Sequence, residues 1–410
     1  MGYALPLVAF AAALLSKTVT LVLAPGLLLL VWWKKGRIDR ADLLRVAPFL
    51  ALALAAGLVT LHGEKLLAGE VEAALLHRAF PERLALAGSL VWFYAGKLLW
   101  PAKLAFVYPR SAIDAAQALS WLPACAFAAI LAGLFAARKR IGRAPFTALA
   151  WFGGTLLPVL GLASFFYLLY ADAADRFLYL PSLGVVALAA GSVAHVARSG
   201  RARTIALAAG LLVSAVLGTL TFQRSRVFAS PEALYADAIG KYPGAWGARS
   251  SLGLILMGQR RFPEAIPHLE EARRLQPGIP GASTYLALAY AQVGRVQEAR
   301  TLFDEALRRY PGDLLARSNL GMTLARAGRD EEAAVELRRV LAVDPSYART
   351  REALLSLLLR MIAARSRAGQ PQEAVTLAHE ARGLAEATGA HDLSARLDAF
   401  IASGGREPAR

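Results

Sequence analysis

The chain has 410 residues, 56% of them apolar, and a mean hydropathy of +0.43, which excludes an ordinary soluble protein and leaves room for two domains. Its net charge is 46 − 30 = +16; in a chain this apolar, that balance points to cytoplasmic loops and anionic headgroups, with membrane lipids as partners and no nucleic acid. Cys125 is the single cysteine and the six histidines show no ligand spacing, so neither an intrachain disulfide nor a metal site is expected.

Long apolar runs fill the chain to about residue 222. The first begins at once, without a basic flank, which reads as a membrane helix rather than a signal peptide and leads us to expect a further N-terminal portion ahead of it. Membrane helices are expected at 4–15, 18–33, 43–61, within 84–107, and at 117–137, 146–170, 177–196 and 204–222. The first two are short and should be buried among the others, with Ser16 and Lys17 as a polar break between them. Basic clusters at Lys34–Arg45, 138–143 and 198–203 should all face the cytoplasm. They can do so together only if 84–107 crosses an even number of times, as a re-entrant or interfacial segment or a tight hairpin. His62, the 64–78 segment, and everything after Phe222 then fall on the outer face.

The stretch ADAADRFLYLPSLG at 171–184 stands out, because Asp172, Asp175 and Arg176 sit between two long apolar runs. Ionisable groups in such a place are costly, and they mark a functional site unless Asp175 and Arg176 merely pair with each other. The acidic and imidazole groups His62, Glu64, Glu70 and Glu72 are expected on a solvated amphipathic helix, and none is marked as a catalytic base.

After Phe222 a 34-residue period appears in Pro243, Pro277, Pro311 and Pro345, the period of tetratricopeptide repeats. The small and large seam positions fall on Leu252, Gly253, Ala265, Leu269 and Ala272; then Leu286, Ala287, Tyr290, Ala299, Phe303 and Ala306; then Leu320, Gly321, Leu324, Ala333, Leu337 and Val340. Residues 235–242 read as the second helix of a degenerate first unit docked on the membrane half. An irregular unit with a lengthened first helix follows from Ala348, with capping helices at 372–386 and 391–401. A concave groove suited to an extended peptide is expected along Ser250, Leu254, Met257, Thr284, Leu288, Gln292, Ser318, Met322 and Arg326. The alternative is that this groove packs only on the protein's own membrane half.

Four motifs, LLSKTVTL (14–21), LLWPAKLAFVYP (98–109), LLPVLGL (156–162) and DRFLYLPSLG (175–184), followed by the repeats, resemble the transmembrane and tetratricopeptide-repeat-containing O-mannosyltransferases and their bacterial relatives. The resemblance implies the C-terminal part of a multi-spanning lipid-sugar glycosyltransferase fold in a bacterial inner membrane, with the repeats on the extracytoplasmic side. It implies a polyprenyl-phosphate sugar as donor, a polypeptide acceptor on the repeats, no covalently bound cofactor, and a donor-phosphate site at Lys17, Asp175 and Arg176, with Asp175 orienting Arg176. Lys17 could equally snorkel to headgroups. The family's catalytic carboxylates belong to a first outer loop that would precede Lys17, so no catalytic residue is assigned here.

The expected architecture is therefore all-α: a membrane bundle at 1–222, a connector and half-repeat at 223–242, repeats at 243–347, and irregular capping helices at 348–410. Two functions remain open. One is protein O-glycosylation from a lipid-linked sugar. The other is a non-catalytic membrane-anchored scaffold whose repeats recruit a protein partner.

Overall fold

The computed structural model describes residues 3–67, 78–162, 166–197, 200–278 and 280–406. All regular structure among them is helical. Five stretches are long and apolar enough to cross a membrane, namely Thr18–Lys35, Arg40–Gly63, Ala118–Ile141, Asp175–Val196 and Gly200–Ala229. Chain contacts divide the molecule into Met1–Leu252 and Gly253–Arg410.

The first unit starts with α1 (Ala4–Ser16), a 3₁₀ turn at Thr18–Val22, α2 (Leu23–Lys35) and α3 (Arg40–Leu67). Lys17 interrupts the helix in an extended conformation, as the polar break required. Helix α1 is not buried as expected: only Phe10 and Leu14 are, while Leu5, Val8 and Leu15 are exposed. Next come α4 (Phe80–Leu99), α5 (Leu122–Ile141), α6 (Ala144–Leu156), α7 (Tyr179–Val196), α8 (Gly200–Ser225) and α9 (Pro231–Lys241).

Two expectations are corrected here. Residues 146–170 are not one span: Pro158 lacks the N–H that the helix needs, the chain tightens to a 3₁₀ turn at Leu157–Val159, and Gly161 turns at φ +81°. The interior this creates buries Leu156, Val159, Leu160, Leu168 and Leu169. Nor do residues 84–107 form a hairpin. They hold one helix, which ends where Trp100 turns extended before Pro101. Gly88 lets this helix press on the start of α5, because a Cβ there would lie 2.5 Å from the Cβ of Ala124.

The bundle has two distinct ends. At one, the Arg143 guanidinium donates to the Trp33 carbonyl (3.4 Å), and Trp33, Ile141, Ala144, His195 and Val196 line a common apolar groove. The basic clusters at 34–45 and 138–143, and the chain leaving α7, are at this end. At the other, the 3₁₀ turn at Thr18–Val22 packs on 157–159. Helix α4 lies across that second end: Arg83 near its start donates to the Leu162 carbonyl (3.4 Å), and Tyr94 near its finish accepts from the Ala174 amide (3.0 Å).

In the repeats, helices α10 (Trp246–Gly258), α11 (Phe262–Leu275), α12 (Pro280–Gln292), α13 (Val296–Arg309), α14 (Leu314–Arg326) and α15 (Asp330–Val343) alternate as antiparallel pairs. The unit boundary falls inside α10. The lengthened α16 (Ala348–Arg367) and the helices α17 (Pro371–Ala387) and α18 (His391–Ala402) follow. Every seam position read from the sequence is buried. The period has a backbone cause as well: Tyr242, Gln276, Tyr310 and Asp344 each precede a proline, and each adopts φ between −142° and −131° with ψ from 79° to 92°. Proline forces its predecessor out of the helical region, so each second helix stops at the same place.

Candidate functional site

The site is built from two irregular segments, 105–111 and 172–176, at the second end of the bundle. They run antiparallel. Ser111 N–H donates to Asp172 (2.6 Å), Tyr108 Oη–H donates to Asp175 (2.6 Å), and the Arg176 guanidinium lies 5.1 Å from the Phe106 ring centre. The motif stretches 98–109 and 175–184 therefore meet through their polar ends.

Backbone in irregular segments must find partners outside helices, and this end supplies them from side chains. Tyr94 serves Ala174, and Tyr167 Oη–H donates to the Ala173 carbonyl (2.9 Å). Lys97 Nζ donates to the Ala102 carbonyl (2.8 Å), and Lys241 Nζ to that of Leu104 (2.9 Å). Helix α9 docks here: Tyr242 Oη–H donates to the Lys103 carbonyl (3.0 Å), and its ring sits 5.0 Å from that of Tyr108. Burial first, and then the Asp175 carboxylate beside it, pushes the Tyr108 hydroxyl well above its usual range, so it stays a donor.

Asp175 and Arg176 do not pair with each other among the described residues. Arg176 instead lies over Tyr167 (4.4 Å), Phe106 and Phe177 (5.1 Å each), and its buried Nη1 has no hydrogen-bond partner among the described residues. Aromatic faces attract a guanidinium and cover part of its surface. Lys17 is exposed, at the same end of the bundle, and among the described residues its ammonium joins neither Asp175 nor Arg176. His62 lies near the end of α3 on this side, where Thr60 bonds Thr18 (3.0 Å). Glu70, Glu72 and the Glu64 side chain lie outside the described residues.

On the repeats, burial divides the expected groove row. Ser250, Thr284 and Ser318 are buried between helices, and Ser318 bonds Thr350 (2.7 Å), so they cannot meet a ligand on the surface. Leu254, Met257, Leu288, Gln292, Met322 and Arg326 remain exposed or half-buried. The period groups these positions on one helix face but does not give their depth.

Sequence reasoning missed Arg78, Arg83 and Arg110, which gather around Asp172. Their one signal is position: Arg78 and Arg83 flank the start of α4, and Arg110 follows its end.

Family models described as tetratricopeptide repeat match residues 222–280 and 284–348, and a second such model matches 256–307. The chain is 32% identical over 121 residues to "Protein O-mannosyl-transferase Tmtc2" of Drosophila melanogaster; the match spans 29% of this chain and 13% of that protein. Similar solved structures include YrrB, titled a TPR protein with an unusual peptide-binding site (18% identity, 45% of this chain and 88% of that one, TM-score 0.33), and a thermophilic TPR protein of Thermus thermophilus (21%, 45% and 95%, TM-score 0.31). The chain is thus an all-α protein with tetratricopeptide repeats within 222–348, similar in part to Tmtc2.

Proposed function

We propose that the protein sits in a bacterial inner membrane, receives a polypeptide on its repeats, and acts in O-glycosylation of that polypeptide from a polyprenyl-phosphate sugar. The observation that carries this reading is the second end of the bundle, where motif stretches 98–109 and 175–184 meet around the shielded, incompletely bonded Arg176 and the first repeat helix docks beside them. Lys17 and Arg176 would favour the lipid phosphate, and Tyr108 would hold Asp175 next to it. By the positive-inside rule the basic end faces the cytoplasm, which puts this site and the repeats outside. Transfer would be displacement at the anomeric carbon by a deprotonated acceptor hydroxyl, with the cations stabilising the leaving phosphate.

A second reading, a non-catalytic scaffold, is favoured by the state of Asp172, whose carboxylate is almost fully buried and already accepts from Ser111 N–H (2.6 Å) and Arg78 (3.1 Å). One experiment separates the two. The protein as produced by its own cells, in nanodiscs, is given a labelled polyprenyl-phosphate sugar and polypeptides recovered by crosslinking to positions 257, 288 and 322. Label on the polypeptide, lost in Arg176→Gln, supports transfer; crosslinking without label supports the scaffold; neither result overturns both.

A further inference from the structure

Asp172 is almost fully buried and lines one small cleft with three arginines, Arg78, Arg83 and Arg110. Arg78 Nη2 donates to it (3.1 Å) and to the Ser111 carbonyl (3.0 Å), while Arg110 Nε stands 3.9 Å from its other oxygen, too far for a hydrogen bond. Arg83 donates to the carbonyls of Arg78 (2.8 Å) and Leu162 (3.4 Å) and lines the same small cleft, which Leu86 and Leu168 wall on the apolar side.

Among the described residues the cleft is lined by three guanidiniums and one carboxylate, an excess of two positive charges. The Arg78 and Arg110 side chains are each only 17% exposed, so water does little to offset that excess. Two buried donors inside the cluster, Arg78 Nη1 and Arg110 Nε, have no partner among the described residues. An unpaired buried donor on a charged group is costly, and a cluster that holds two of them is short of acceptors rather than of donors. Burial first, then the neighbouring Arg78, pulls the Arg110 guanidinium's pKa below its usual value against the pull of Asp172, the direction expected where one carboxylate serves too many cations.

We infer that Arg78, Arg83 and Arg110, oriented by Asp172, bind a phosphate dianion. Two excess charges match a phosphate monoester or one end of a diphosphate, and planar guanidinium forks match its oxygens two at a time. A carboxylate would leave one charge over. The phosphate could belong to a lipid headgroup or to a free anion. This site stands on its own charges, whether or not the protein transfers a sugar.

The test uses the full chain in uncharged detergent, titrated calorimetrically with inorganic phosphate, with pyrophosphate, and with a short-chain prenyl phosphate. Saturable binding is expected, weaker by about ten-fold or more in Arg110→Gln, which leaves the bonds of Arg78 and Ser111 to Asp172 in place. Arg83→Gln, which touches only backbone carbonyls, is the second variant and should weaken binding likewise. Tighter binding of the prenyl phosphate than of the inorganic anions assigns the site to a lipid headgroup, and equal binding assigns it to a free anion; either supports the site. No saturable binding to the unmodified protein, or unchanged binding in both variants, overturns it. No sugar transfer is measured, so failure here is separable from failure of the glycosylation reading.

Discussion

Replacing Gly321 by alanine should change sign with the residue it faces. Gly321 lies in α14, and a Cβ there would be 2.8 Å from both Cγ and Cδ2 of the fully buried Leu337 on α15, closer than real Cβ atoms come. Alanine favours the helix over glycine by about 1 kcal/mol, but overpacking of this kind costs about 1–3 kcal/mol, so Gly321→Ala should destabilise by up to about 2 kcal/mol. Leu337→Ala alone leaves a cavity and should cost about 2–5 kcal/mol. In that background the obstacle is gone, the new methyl half-fills the space, and Gly321→Ala should stabilise by about 1 kcal/mol. The protein already contains both solutions: Gly253 faces Leu269 with a would-be contact of 2.6 Å, whereas the intervening repeat has Ala287 at the glycine position and Phe303 at the leucine position. Hydrogen exchange of α14 and α15 amides in the full chain, corrected for intrinsic rates, reads the four members of the cycle. Equal effects of Gly321→Ala with and without Leu337 would refute this account of the seam.

Three further outcomes follow from the first unit. Tyr108→Phe removes the donor to Asp175 and the acceptor for Ala105 N–H, and should cost about 1–3 kcal/mol, read as a lower unfolding midpoint and faster exchange over 105–111. Asp172→Ala leaves the three arginines without their carboxylate and should cost about 3–5 kcal/mol, a loss that added pyrophosphate should partly restore in a thermal unfolding assay. At Asp237, burial raises the carboxyl's pKa, but hydrogen bonds from Lys241 and Arg224 outweigh it and hold the group below its usual 3.8. A depressed folded value stabilises above the unfolded one, so α9 should lose protection as pH falls below about 3.8, and Asp237→Asn should abolish that pH dependence.

The repeats were legible because each unit restates the same local rule. Proline fixes where each second helix stops, and seam residues recur with it, so one period carried both. The same period holds a further signal: Arg261 with Glu264, Arg295 with Glu298, and Arg329 with Glu332 form ion pairs of 2.5–2.7 Å at successive helix starts. Depth was not legible, since Ser250, Thr284 and Ser318 share a helix face with accessible neighbours and differ only in what packs over them. In the bundle, hydropathy located the helices but not Pro158's break, because a proline inside an apolar run alters the backbone without altering the hydropathy. The site was least legible, for Ser111 meets Asp172 and Tyr108 meets Asp175 across more than 60 residues, where no local period reaches.

Which cations at that end are free to act follows from what the backbone there requires. The irregular segment 100–111 exposes carbonyls that no helix satisfies, and Lys97 and Lys241 each spend donors on them. Charge alone therefore does not nominate a ligand-binding residue, and a motif that contains a lysine can owe it to the fold. The discriminating observation is a buried donor left without a partner after the backbone is served. Arg78, Arg110 and Arg176 each retain one, whereas Lys97 and Lys241 donate to carbonyls and hold α9 to the bundle. Substituting Lys97 or Lys241 should therefore loosen the dock of α9 without weakening anion binding, and substituting Arg110 should do the reverse.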